Sequence, residues 1–447
     1  MQNKFKLEIN DFGPIESANI NINQINIIGG PNSSGKSFSS KLLFCFLTSL
    51  SEHGKHIENQ GIYGSFDSFI KRWVNNTPNS SLNTISYNYA ELHDKINKLM
   101  SEWDENNIEY GYLYDFFMKF KNILSEYDLL DDDECNNDLN LVKENVDFNR
   151  SKFNYVNRVI QYLLFVEFGQ KSLKLFKGSK IEFSEYSNKL FNFLLEFDDN
   201  FVDLKFNVED NLKIDLNKVI YIDSLSLLDF GIKFNEGVEV KSNLGQFHFY
   251  ALLEGLIQKQ DDRDIALKKL YAQYSKDYAN ELESIMNGSF RFDDEDNVFI
   301  FDSDIGPLEL KNVASGYKQL GMLQLLLSNN YISEGTWLII DEPEINLHPS
   351  MQVKLAKILI KMANELNIKI YINSHSPYII EAIEVYSKKE KMEDKTSFFL
   401  CEQSNNFKFK INEINRNDLV KIYDTLANPY NTINSVRFEN DWNEEFD

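Results

Sequence analysis

The chain has 447 residues, a formal net charge of −23 and 43% hydrophobic residues. That content can bury one large core or two moderate ones. No apolar run approaches the roughly 20 residues needed to span a bilayer, and Cys45, Cys135 and Cys401 are too far apart for a disulfide framework or a zinc pattern. The acidic balance does not favour duplex DNA, whose affinity for proteins comes largely from basic groups. It fits an acidic surface that docks a basic protein.

The N-terminus reads directly as a strand and lacks the apolar segment of a signal peptide, so a cytoplasmic protein is expected. Residues 20–28 alternate and then turn fully apolar, as one entering strand should. They run into G-P-N-S-S-G-K-S at 30–37, a full match to the phosphate-loop pattern. Residues 37–50 follow as a largely buried helix. Gly30 and Gly35 let the backbone curl so that its N–H groups meet phosphate oxygens, and the helix N-terminus adds a favourable dipole. Lys36 would reach the β- and γ-phosphates and Ser37 would ligate magnesium. Pro31, Asn32, Ser33, Ser34 and Phe38 complete the expected nucleotide contacts.

Residues 51–216 read as a mainly helical insertion. Leu92, Ile96 and Leu99 have helical spacing, 110–120 is dense in aromatics, 128–140 reads as an acidic loop, and 150–166 as a further helix. Sustained heptads are missing, so a short globular lobe that docks a partner is expected rather than a rod. Beyond it, 217–230 returns to a strand and turn, 246–287 to two helices, and 289–311 to a strand meander. Ser315 and Gly316 then open an apolar helix, and residues 336–349 read T-W-L-I-I-D-E-P-E-I-N-L-H-P. A buried strand that ends in Asp341 and Glu342 delivers two acids to a sheet edge, where ligands of open α/β sheets bind. One can hold magnesium while the other polarises a water. Residues 368–377 form another strand that ends at His375. Taken alone, the Ser-Gly pair is an ordinary helix start and His375 an ordinary structural histidine. The tail reads as a strand pair (397–401 and 407–411), a helix near 418–426 and an acidic end.

The order phosphate loop, Ser-Gly, Asp-Glu, helix, strand-His resembles ABC-type ATPases. The tract E-P-E-I-N-L-H-P followed by I-N-S-H-S-P-Y is similar to the overcoming-lysogenization-defect (OLD) family and its stand-alone relatives, with Rad50, SMC and RecF more distant. The resemblance covers residues 1–50 and about 290–411. It implies an α/β P-loop NTPase of ABC type, with a mixed sheet, flanking helices and a β-rich lobe. The head would be residues 1–50 and 217–447, interrupted by the 51–216 insertion.

By motif, Gly30, Gly35, Lys36 and Ser37 resemble the Walker A loop. Asp341 resembles the Walker B magnesium residue, Glu342 the catalytic base, Ser315 and Gly316 the signature, and His375 the switch histidine. Glu344 to His348 lie where the D-loop belongs. Gln161 and Gln246 are the candidates for the Q-loop glutamine. The cofactors implied are ATP and Mg2+, held in a homodimeric nucleotide sandwich that could extend to a higher oligomer. The short stretch after His375 does not accommodate a Toprim nuclease domain. The resemblance to the ATPase subunits of the PARIS and Septu defence systems implies control of a separately encoded nuclease or toxin. The alternative is a RecF- or Rad50-like repair ATPase that clamps DNA.

Overall fold

The N-terminal strand forms as expected, as β1 (Phe5–Phe12), whereas the tract expected as one entering strand is shared between β2 (Ile15–Ile22) and β3 (Ile25–Gly29). The tract 20–28 is divided because Asn23 and Asn26 tie a turn together. The Asn23 N–H donates to Asn26 Oδ1 at 2.8 Å, and Asn26 Nδ2 donates to Asn23 O at 2.9 Å. β3 is buried along its whole length, as a central parallel strand must be, and leads through the loop into α1 (Lys36–Leu50).

In this computed structural model the described residues are 4–73, 89–104, 110–127, 133–147, 154–185, 191–198, 201–208, 216–223, 228, 247–257, 266–404 and 407–426. They fall into two compact units, Met1–Leu47 with Leu163–Asp447, and Thr48–Tyr162.

The second unit is helical: α2 (Glu52–Trp73), α3 (Tyr89–Met100), α4 (Tyr110–Glu126), α5 (Asp133–Asp147) and the first part of α6 (Asn154–Phe168). Its core is largely aromatic, with Phe66, Phe69, Phe116, Phe117 and Phe120 meeting Leu92, Ile96 and Leu99. Phe120 packs edge-on against Phe66 and Phe69, at centroid separations of 5.2 and 5.6 Å. The expected acidic loop at 128–140 is corrected from residue 133 onward. Cys135, Leu139, Val142 and Val146 fall on one face of α5 and are all buried. The acidic and Asn residues that suggested a loop occupy the remaining positions.

The expected insertion boundary at residue 216 is also corrected. After α7 (Gln170–Leu173) the chain turns to β4 (Lys180–Glu185), β5 (Phe191–Asp198) and β6 (Phe201–Val208), which join the main sheet beside β1. The alternation in F-N-F-L-L-E-F-D puts Phe191, Phe193, Leu195 and Phe197 on one buried face. The mainly helical part is therefore shorter than 51–216, and the sheet claims the rest.

The remaining elements are β7 (Lys218–Ile222), α8 (Phe247–Ile257), α9 (Ala266–Met286), β8 (Gly288–Asp293), β9 (Val298–Ser303), β10 (Gly306–Glu309), α10 (Ser315–Ser328), β11 (Thr336–Asp341), α11 (Pro349–Glu365), β12 (Lys369–Ser374), α12 (Pro377–Lys389), β13 (Thr396–Gln403) and β14 (Phe409–Ile414). A helical turn at 420–426 ends the described chain. The large mixed sheet runs β6-β5-β4-β1-β2-β14-β13-β3-β12-β11-β7, and β10-β9-β8 form the separate β-rich lobe.

Within the large sheet, β13, β3, β12, β11 and β7 are mutually parallel. All five carboxyl ends therefore reach one edge. The register sets Ile27, Ile372, Ile340 and Ile222 in one row and Ile28, Asn373 and Asp341 in the next. The sequence thus folds as an α/β P-loop NTPase of ABC type, with its switch-point residues brought level by strand register.

Candidate functional site

The phosphate loop turns at glycines that nothing larger can replace. Gly30 has φ +156°, and a Cβ there would sit 2.6 Å from the Cβ of Cys401. Gly35 has φ +92°, and a Cβ would sit 2.5 Å from Ile15. The loop is pressed between β13 and the start of β2, so any side chain would push it outward. Pro31, Asn32 and Ser33 are exposed at its crest, whereas Ser34, Gly35 and Lys36 are buried. Phe38 turns the other way. Its ring packs with Phe12, Phe168 and Phe176 at centroid separations of 5.9, 5.5 and 5.9 Å. The Phe38 side chain thus anchors α1 in the core and leaves only its backbone for a ligand.

Lys36 Nζ lies inside the loop and donates to Gly30 O at 3.0 Å, Pro31 O at 2.8 Å and Ser34 Oγ at 3.3 Å. Burial lowers its pKa, and the neighbouring Glu342, Asp341 and Glu344 carboxylates oppose that shift. Lys36 Nζ also lies 3.5 Å from His375 Nδ1, and His375 Nε2 lies 3.0 Å from Glu342 Oε1. The three Lys36 protons are taken by Gly30 O, Pro31 O and Ser34 Oγ, so the contact with Nδ1 is proximity only. At the other ring nitrogen the carboxylate can only accept, so the proton of that bond sits on Nε2. The hydrogen bond from His375 holds Glu342 below its ordinary carboxylate range, against the upward push of burial.

Glu342 adopts φ +51°, a left-handed conformation uncommon for a non-glycine residue and concentrated at functional sites. Its N–H donates to Asn373 O at 2.9 Å, which ends the β11 ladder and swings the side chain toward His375.

Asp341 is 1% exposed. Its Oδ1 accepts from Ser40 Oγ at 2.8 Å and Asn373 Nδ2 at 2.6 Å, and its Oδ2 from Tyr221 Oη at 2.8 Å. Burial pushes the carboxyl above its ordinary value, while the hydroxyls of Ser37, Tyr221 and Ser40 pull it back. A buried carboxylate served by neutral donors, with a serine hydroxyl at its mouth, fits a hard, oxygen-seeking divalent cation.

Glu344 is the residue that sequence reasoning placed only within a D-loop. Its Oε1 accepts from Ser374 Oγ at 2.9 Å and from the backbone N–H groups of His375 and Ser376, the latter at 3.1 Å. It therefore clamps the backbone that presents His375. Gln352 adds a second tie, accepting from Ser376 Oγ at 2.6 Å and donating to Leu347 O at 2.9 Å. The spacing of E-P-E-I-N-L-H-P and S-H-S-P carried this signal, because a carboxylate two residues beyond Glu342 faces the end of the adjacent parallel strand.

Ser315 and Gly316 open α10 as expected. Ser315 is exposed, and Gly316 packs under the run after β11, where a Cβ would meet Asn346 O at 2.4 Å. Of the two glutamine candidates, Gln161 lies in the helical unit and donates to Asn157 at 2.9 Å. Gln246 lies outside the described residues. The residue after the strand beside β11 is instead Asp223, whose charge adds to the rise at Asp341 and opposes the fall at Glu342.

A phosphate loop, two acids and a histidine on one edge of a parallel sheet define a P-loop ATPase. Residues 5–380 match the family model of the AAA ATPase domain, and the chain belongs to that family. Among curated proteins, none matches. Similar solved structures include the SMC head domain from Thermotoga maritima (10% identity, covering 93% of this chain and 100% of that one, TM-score 0.38). Another is an Smc head bound to the C-winged helix domain of ScpA (10% identity, 94% and 100% covered, TM-score 0.43). A third is an Smc head with an extended coiled coil bound to the C-terminal domain of ScpA from Pyrococcus furiosus (10% identity, 96% and 100% covered, TM-score 0.35). No helix among the described residues is long and apolar enough to cross a membrane.

Proposed function

We propose that the chain hydrolyses ATP with magnesium and uses the nucleotide as a switch that controls a separate effector protein. The observation that carries this reading is the continuous line Lys36, His375, Glu342 beside the buried Asp341. Ser37 and Asp341 would hold the cation, which would supply charge neutralisation between the phosphates. Lys36 would exchange the carbonyls of Gly30 and Pro31 for phosphate oxygens. Glu342, kept ionised by His375, would orient and deprotonate the attacking water. His375, fixed by Glu344, would report the γ-phosphate to the base through its two ring nitrogens.

Ser315 is exposed at the start of α10, which suits it to cap the nucleotide of a second copy. A homodimeric sandwich of two nucleotides follows, closing on ATP and opening on hydrolysis. The charge of −23 supports a basic protein partner, and a prokaryotic defence nuclease or toxin fits that role. Steady-state ATPase assays with and without magnesium test the chemistry, with Lys36→Ala as the control. Light scattering of Glu342→Gln with ATP tests the dimer, and co-purification from the native operon tests the effector. A stable monomer under those conditions contradicts the sandwich.

A further inference from the structure

Behind Asp341 lies a second buried polar cluster that the phosphate chemistry does not use. Tyr221, on β7, is fully buried and donates its hydroxyl to Asp341 Oδ2 at 2.8 Å. Its ring rests on the imidazole of His248, with centroids 4.7 Å apart. His248 is the second residue of α8 and is 0% exposed.

One carboxylate grips His248 twice. Glu167 Oε1 accepts the His248 backbone N–H at 3.0 Å, and Glu167 Oε2 accepts Nδ1–H at 2.7 Å. On the far side, His248 Nε2 lies 3.7 Å from Asp223 Oδ2. Phe44 of α1 closes the ring edge-on at 6.1 Å. An apolar side chain would pack against Tyr221 as well and would avoid the desolvation cost of a buried carboxylate and imidazole. What the polar grip adds is a fixed ring plane. A phenol free to tilt would carry its hydroxyl off the Asp341 oxygen.

We propose that His248, gripped by Glu167, is a positioning residue for metal binding that acts through Tyr221 on Asp341. The inference rests on the reading of Asp341 as the magnesium ligand. It assigns the cluster an effect on cation affinity and none on the phosphate loop, because neither His248 nor Tyr221 is bonded to residues 30–37 in the contacts described above. The effect is transmitted in series, so the Tyr221 hydroxyl should carry all of it.

The test is ADP binding to the full chain by calorimetry, in EDTA and across a magnesium titration, alongside ATPase rates over the same titration. Outer partners of metal ligands are commonly worth about 10- to 100-fold in metal affinity. Tyr221→Phe should raise the half-saturating magnesium about 10-fold and His248→Gln about 3-fold. ADP affinity in EDTA should stay within about twofold of the parent. Glu167→Gln, the milder variant, should follow His248→Gln. The Tyr221→Phe/His248→Gln double variant should be no worse than Tyr221→Phe alone.

The proposal is overturned if ADP binding in EDTA falls as far as the magnesium response, or if the two changes add. It is also overturned if Tyr221→Phe shifts the titration while His248→Gln and Glu167→Gln do not. Asp341→Asn separates the two levels. If it leaves the magnesium response unchanged, the assignment of the metal ligand itself fails. If it moves the response while the cluster variants do not, only the relay fails.

Discussion

The carboxyl-end edge of β3, β12, β11 and β7 and the core of α2 to α5 bury side chains of opposite kinds. At the sheet edge the buried groups include Lys36, Asp341, Asn373 and Ser374, each hydrogen-bonded to a polar neighbour and set beside the strained backbone of Glu342. In the helical unit the buried groups are Phe66, Phe69, Phe116, Phe117 and Phe120 with aliphatic neighbours. The first arrangement costs desolvation and backbone strain and is arranged for ligands. The second removes apolar surface from water and stabilises its unit. Substitutions should therefore separate cleanly into losses of chemistry and losses of stability.

The largest expected effect lies at the edge. Lys36→Ala and Asp341→Asn should each lower kcat for ATP by about 100-fold or more, since each removes charge stabilisation at the phosphates. Both should leave the melting temperature near the parental value, or above it for Lys36→Ala, which frees the fold of a buried ammonium. If either variant unfolds, the edge contributes more to stability than the contrast allows.

Next comes the helical core. Phe120→Ala should cost about 3–5 kcal/mol, measured by denaturant titration, because its ring is fully buried between two others. A loss below about 1 kcal/mol would show that this core is loosely packed.

The smallest effect is expected at the opposite end of the same sheet. Lys218, at the start of β7, is half-buried with its ammonium shielded from solvent 3.8 Å from the ring centre of Tyr331, and burial lowers its pKa to about 8. A lysine depressed in the folded state destabilises the fold below that pKa, where it is charged in both states. The penalty fades as pH rises from about 8 toward the ordinary 10.5, where the amine is neutral in both. Lys218→Met should thus raise the melting temperature at pH 7 by about 2 °C, and the gain should shrink above pH 8. A gain that does not vary with pH would point to packing rather than charge.

Sequence patterns reached the edge residues and missed much of what surrounds them. The phosphate loop, Asp341, Glu342 and His375 were legible because each ends a short apolar run, and an apolar run that stops in polar residues marks a strand end. Tyr221, Asn373 and Ser40 were not, because a single tyrosine, asparagine or serine inside a buried element has no periodic signature; only strand register brings all three to one carboxylate. The Glu344 clamp was half legible, since the segment stood out while its target across the sheet did not. The helical unit was readable where apolar spacing was strong, as in α3. It was misread in α5, where acidic residues outnumber the apolar stripe. β4 to β6 carry a plain period of two, but a helical reading of the whole insertion overrode it.

The central claim is that the two acids at the end of β11 divide the labour, one on the cation and one on the water. Single-turnover hydrolysis by Glu342→Gln tests it most directly, with ATP affinity measured on the same samples. The account predicts a chemical step slowed at least about 100-fold with the ATP dissociation constant and its magnesium dependence unchanged. Hydrolysis at the parental rate would contradict it.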